Sequence, residues 1–134
     1  FMKLAEIYVN KAKKDPKTKG ENIDKAISVY AKLAEKYPTL KPFAKLQEGN
    51  TAFQNEMDDK AIPAYTEVIS ELEAKQCDAD ELSYLKQAYQ YMGFIYNYDK
   101  QDFDQAKPYW EKLLKLDPEN KYAKDAIEKG TKAQ

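Results

Sequence analysis

One repeated spacing constrains this chain more than any other feature. Ala26, Tyr30, Leu33 and Pro38 follow one another at intervals of four, three and five residues, and Ala106, Trp110, Leu113 and Pro118 repeat those intervals 80 residues later. Between them stand Ala61, Tyr65 and Val68, at intervals of four and three, with Glu73 where the proline would fall. Pro63 follows Ala61 by two residues, and Pro108 follows Ala106 by two. A fixed period decides the fold class, because one repeated unit cannot bury its apolar face alone and must stack on the next. Each unit reads as a helix. The alanine lets a neighbouring helix approach, and the large residues four and seven positions later lie on the same face. The terminal proline stops that helix or opens the next. Pro63 and Pro108 fit in or near a first helical turn, where the missing N–H costs no helical bond.

Each of these helices is preceded by another. Leu4, Ala5, Tyr8 and Ala12 mark the first; Phe43, Leu46, Asn50 and Phe53 share one face of the second; Tyr89, Met92, Gly93 and Tyr96 mark the third. A last segment, 119–129, carries Tyr122, Ala123, Ala126 and Ile127 on one side and Lys121, Lys124, Asp125 and Glu128 on the other. Breaks are expected near 15–20, 39–41, 57–58, 76–80, 99–102 and 117, giving seven helices and no strand. Asp78 with Glu81 and Asp102 with Gln105 fit capping boxes. Asp117, Pro118 and Asn120 read as N-cap, first-turn proline and polar third residue of the last helix.

On these residues the sequence resembles the tetratricopeptide repeat (TPR) family. Tyr89, Met92, Gly93 and Tyr96 stand where that family has large, large, small and aromatic residues in its first helix. Phe103, Ala106, Trp110, Leu113 and Pro118 match the second helix. The resemblance covers nearly all of the chain and implies a single all-α domain over 1–134. It would be a right-handed superhelix of about three helix–turn–helix units (1–38, 41–76 and 80–117) closed by a capping helix at 119–130. Trp110 and Tyr30 become core anchors, and Gly93 a position of close helix packing. Three departures stand out: a turn between Tyr96 and Phe103 one residue too long, a second unit whose turn reads one residue short, and an oversized loop from Lys14 to Gly20. Phe1 is not a natural start, so the chain reads as a piece of a longer protein.

Composition removes several function classes. The 22 basic residues, all lysine, balance 23 acidic ones for a net charge of −1, so there is no footprint for nucleic acid. Without arginine, bidentate phosphate or carboxylate recognition is weakened. Without histidine, the commonest general base and metal ligand is missing. Cys77 is the single cysteine and has no internal disulfide partner. The clusters Asp78, Asp80, Glu81 and Asp99, Asp102, Asp104 lack the length and central glycine of a calcium loop and read as caps and turn residues. The four glycines are isolated, so no phosphate loop forms, and no serine has a histidine to activate it. No run of 18 apolar residues would insert in a membrane. Neither catalytic residue, metal nor cofactor is expected.

The expected function is a non-catalytic interaction module. In stacked helix pairs the first helix of each unit lines the concave side, which here places Gln47, Thr51 and Gln54, then Gln87, Gln90, Phe94 and Asn97, with Tyr91 and Tyr98 at the margin. The seven inner residues carry no charge in a chain that is 34% charged. They suit a neutral peptide or partner-protein segment, its backbone bonded by amide side chains and Phe94 as apolar anchor. The lysine, asparagine and arginine positions with which chaperone-binding members grip a terminal carboxylate are not matched. The alternative is a structural spacer within a longer repeat array; self-association is compatible with either. Sugar binding by groove aromatics is a third class, known from much larger proteins. Tyrosine-rich, long-loop repeats resemble those of bacterial envelope proteins, which favours the periplasmic side of an envelope over the cytoplasm.

Overall fold

In a computed structural model, which describes residues 1–133, the chain forms seven α-helices: α1 (Met2–Lys14), α2 (Lys19–Lys36), α3 (Lys41–Gln54), α4 (Asp58–Glu73), α5 (Ala79–Phe94), α6 (Phe103–Leu116) and α7 (Lys121–Ala133). There is no strand among the described residues. The chain divides into two compact units, Phe1–Glu71 and Leu72–Gln134.

In the first unit α2 packs between α1 and α3. Its core gathers Ala5, Ala26, Val29, Tyr30, Leu33, Ala34 and Ala44, with Tyr8, Val9 and Phe43 half-buried against them. Alanine on three helices allows close approach, and Tyr30 fills the space between. The expected oversized loop is a short 3₁₀ turn, Pro16–Thr18, opened by the Asp15 carboxylate accepting the Lys17 N–H at 3.1 Å. Residues 19 and 20 already belong to α2, so the link is shorter than the sequence implied.

The α3–α4 pair corrects the register read from the sequence. A Cβ on Gly49 would lie 2.6 Å from the Tyr65 ring, so Gly49 is the small residue beneath that aromatic, as Gly93 is beneath Trp110. Asn50 instead accepts the Tyr65 hydroxyl proton at 2.7 Å. From Gly49 to Ala61 is twelve residues and from Gly93 to Ala106 thirteen, so the second pair is not short; the α5–α6 pair alone is long. Glu56 and Gln101 both adopt positive φ, 61° and 51°, at the same place in their respective turns.

In the second unit the extra residue is absorbed as a π-helical turn, Ile95–Asp99, in which Lys100 N–H reaches back five residues to the Ile95 carbonyl at 2.9 Å. Gly93 meets Trp110: an added Cβ would lie 2.7 Å from the indole. Trp110, Leu113, Ala106 and Ile95 are fully enclosed. Tyr96 stacks on Tyr109 with ring centroids 5.9 Å apart. On α7, Ala123 and Ala126 are buried, whereas Tyr122 is 57% exposed and keeps only one edge on Phe94. A Cβ on Gly130 would lie 2.1 Å from Phe103.

Two local assignments change. Asn120 caps α7, its Oδ1 accepting the Ala123 N–H at 3.0 Å, while Asp117 closes α6 through its N–H on the Leu113 carbonyl. The last helix therefore starts at Lys121 rather than 119. Pro63 and Pro108 stand at the sixth residue of α4 and α6, in the second turn. Both are exposed, so water can take the carbonyls that their rings leave free.

Candidate functional site

Helix α5 begins with a complete capping box: Glu81 N–H donates to Asp78 at 2.9 Å, and Asp78 N–H donates to Glu81 at 3.1 Å. Asp102 holds α6 in a similar way through Gln105 N–H at 3.2 Å. These carboxylates are committed to helix starts. From Gln87 to Tyr98, twelve residues run without a charge. This stretch contains the six α5-side residues expected to meet a partner.

The structure brings part of that set together. Phe94 is the centre of an aromatic group: Tyr91 lies at 6.0 Å, Tyr98 at 6.0 Å, Trp110 at 5.5 Å and Tyr122 at 5.2 Å between ring centroids. Phe94 is thereby half-buried, while Tyr98 is 50% exposed. Gln90 accepts a hydrogen bond from Asn120 at 3.1 Å, tying α5 to the start of α7. Gln87 donates to the Ser83 hydroxyl at 3.2 Å. Asn97 has its Oδ1 buried without a hydrogen-bond partner among the described residues. In the first unit, Thr51 is buried, Gln47 half-buried and Gln54 exposed at the end of α3.

The two helix pairs differ most at three equivalent positions. Tyr89, Met92 and Lys112 of the α5–α6 pair correspond to Lys45, Glu48 and Glu67 of the α3–α4 pair. In α5–α6, Tyr89 Oη donates to Glu73 at 2.5 Å and Lys112 Nζ donates to the same carboxylate at 3.0 Å. Burial alone would raise the Glu73 carboxyl, but the two donors outweigh it and hold it below its ordinary value. Burial and the Glu73 bond push the Tyr89 phenol far up, so it stays protonated. In α3–α4, Glu48 is 6% exposed, and Lys45 reaches it at 3.3 Å and Glu67 at 3.4 Å. Burial raises Glu48 against the opposing pull of Lys45, and the net shift is upward. Burial lowers Lys45, but its two carboxylates outweigh that and raise it.

Sequence reading missed a second concavity. A cleft of about 490 Å³ in the second unit holds the Glu73, Tyr89 and Lys112 group in its wall; Leu72, Leu82, Leu85 and Leu116 line it, and lysines edge it. Its signal was present as Leu82 and Leu85 three apart on α5 and Lys112 and Lys115 three apart on α6. Only the hairpin pairing shows that they meet.

A family model described as "Tetratricopeptide repeat" matches residues 1–39 and 84–120, more than half of the chain. The unmatched middle contains the α3–α4 pair, where Lys45 and Glu48 replace the large apolar residues of the first helix. Searches of curated proteins and of solved structures find no match. The α5–α6 hairpin, with Gly93 pressed on Trp110 between Tyr89 and Leu113, carries the repeat's packing most completely, and the chain belongs to the tetratricopeptide repeat family.

Proposed function

We propose that this chain is a non-catalytic interaction module that holds an uncharged segment of a partner protein along α5. Repeats of this family generally mediate protein–protein interaction, and its members are typically non-catalytic. No described helix is long and apolar enough to cross a membrane. One observation carries the finer reading: the uncharged run from Gln87 to Tyr98, in a chain with 34% charged residues, ends in the half-exposed Tyr98 and passes through the half-buried Gln87, Tyr91 and Asn97. In a stacked array the first helix of each unit lines the concave side, and α5 is such a helix. Gln87 and Asn97 would bond the partner's backbone, and Tyr91 and Tyr98 would supply flat apolar contact with little entropy to lose. Phe94 would act from beneath, as the ring on which the two tyrosines rest. Gln90 contributes by fixing α5 to α7. On α3 the same role would fall to Gln47 and Gln54, with Thr51 serving as packing.

The test is selection of binding peptides from a random displayed library on the full chain. Each selected peptide is then measured against Gln87→Ala and Tyr98→Ala. Tyr98→Ala is expected to weaken binding by at least about tenfold, as a contact residue of this type does. Peptides that bind both variants as tightly as the parent chain would place the interaction surface elsewhere.

A further inference from the structure

We propose that the leucine cleft at the end of α6 is a second binding site, for an acidic peptide segment carrying one large apolar side chain. It does not rest on the α5 reading. The floor is made by Leu72 from the end of α4, Leu82 and Leu85 from the first half of α5, and Leu116 from the end of α6. Leu72 and Leu85 are 1% and 6% exposed, so the floor is held by the core beneath and is formed before any ligand arrives. A volume of about 490 Å³ accepts one large side chain with the backbone on either side of it.

Charge selects the occupant. Three lysines, Lys75, Lys112 and Lys115, and one carboxylate, Glu73, line the cleft; with the Glu81 that holds Lys75 the local balance is +1 in a chain whose net charge is −1. Lys75 is held by Glu81 at 2.5 Å and Lys112 by Glu73 at 3.0 Å. Lys115 forms no ion pair among the described residues, so its ammonium is the one left to meet a ligand carboxylate. An apolar floor under a cationic rim suits a leucine-like side chain between acidic neighbours. A basic segment meets repulsion, and a neutral one gains nothing from the rim. Cys77 is part of the wall: its thiol donates to the Leu72 carbonyl at 3.3 Å, and burial pushes its pKa up.

The test uses the full chain and a blocked pentapeptide with a central leucine and two glutamates on each side. Titration followed by amide chemical shifts should move Leu82, Leu85 and Leu116, and Tyr89 in the wall, while leaving Phe94 to Tyr98 still. Lys115→Glu is an exposed change that keeps the fold, and it should weaken binding by at least about tenfold, as should raising the salt from about 50 to about 500 mM. Replacing the peptide's leucine by serine should abolish binding without touching the protein. The proposal is overturned if the pentapeptide moves none of the cleft leucines at millimolar concentration, or if Lys115→Glu binds unchanged. It is equally overturned if the same shifts come only from vesicles of anionic lipid. Loss of the α5 interaction on Tyr98→Ala, with pentapeptide binding intact, separates this site from the one proposed above.

Discussion

Replacing Glu48 by methionine, the residue that α5 carries at the equivalent position, Met92, should make the first unit more stable. The Glu48 side chain is 8% exposed and its counter-ion Lys45 21% exposed. At 3.3 Å, with an effective dielectric of about 20, their attraction is about 5 kcal/mol. Removing a carboxylate and an ammonium from water costs several kcal/mol each, so the two effects nearly cancel. For Lys45 the two carboxylates outweigh burial, but for Glu48, the more deeply buried partner, burial outweighs the lysine, so the uncompensated cost falls on Glu48. Glu48→Met removes that cost and leaves Lys45 with Glu67 at 3.4 Å, so no charge is stranded. The expected gain is from zero to about 2 kcal/mol. Lys45→Met is the opposite experiment: it leaves Glu48 buried beside Glu67 and should cost about 3 kcal/mol at neutral pH. Because Glu48's folded value lies above its ordinary 4.5, its contribution to stability is present below pH 4.5 and lost as pH rises through the folded value. The advantage of Glu48→Met over the parent chain should therefore widen from acid to neutral pH. Urea unfolding followed by far-ultraviolet circular dichroism measures both variants, with Trp110 fluorescence reporting the second unit separately. A loss above about 1 kcal/mol in Glu48→Met, with no cost in Lys45→Met, would mean that the buried carboxylate stabilises the first unit.

Three further predictions rest on packing. Trp110→Ala should cost about 3–5 kcal/mol by urea midpoint, because the indole is fully enclosed and supports Phe94; a change below about 1 kcal/mol would remove it from the core. Gly93→Ala and Gly49→Ala should each cost about 1–3 kcal/mol, since the new methyl meets Trp110 or Tyr65 at under 3 Å, whereas Gly20→Ala meets nothing within 4 Å and should gain about 0.5 kcal/mol. Truncation after Asp117 should expose the face of Phe94 that Tyr122 covers and remove Ala123 and Ala126 from the core, so light scattering and the thermal midpoint should show association or marked destabilisation; a monomer of unchanged midpoint would show that α7 is dispensable.

The helix count and the aromatic anchors were legible because they depend on spacing alone: Ala26 to Tyr30 and Ala106 to Trp110 recur whatever surrounds them. The register of α3 was not legible. Phe43, Leu46, Asn50 and Phe53 give a persuasive apolar face, while the residues that occupy the repeat positions are Lys45 and Glu48, whose burial as a pair no hydropathy pattern reveals. The π-turn after Phe94 was visible as one surplus residue but not as a structure, since a surplus residue can equally lengthen a loop. Asp117 and Asn120 both suit a cap, and only the direction of their hydrogen bonds separates the end of α6 from the start of α7. For the candidate sites, the uncharged run on α5 is a property of the sequence itself. The lysine-rimmed cleft is not, because its leucines and lysines come from three helices and the link between α4 and α5.

If α5 holds its partner through neutral contacts, binding there is insensitive to salt. The measurement that tests it most directly is the dissociation constant of a library-selected peptide between about 50 and about 500 mM salt, for the parent chain and for Tyr98→Ala. The constant should change by less than about twofold across that range, because no ion pair carries the contact, and Tyr98→Ala should bind far more weakly at every salt concentration. A steep decline with salt, together with unchanged binding by Tyr98→Ala, would contradict it.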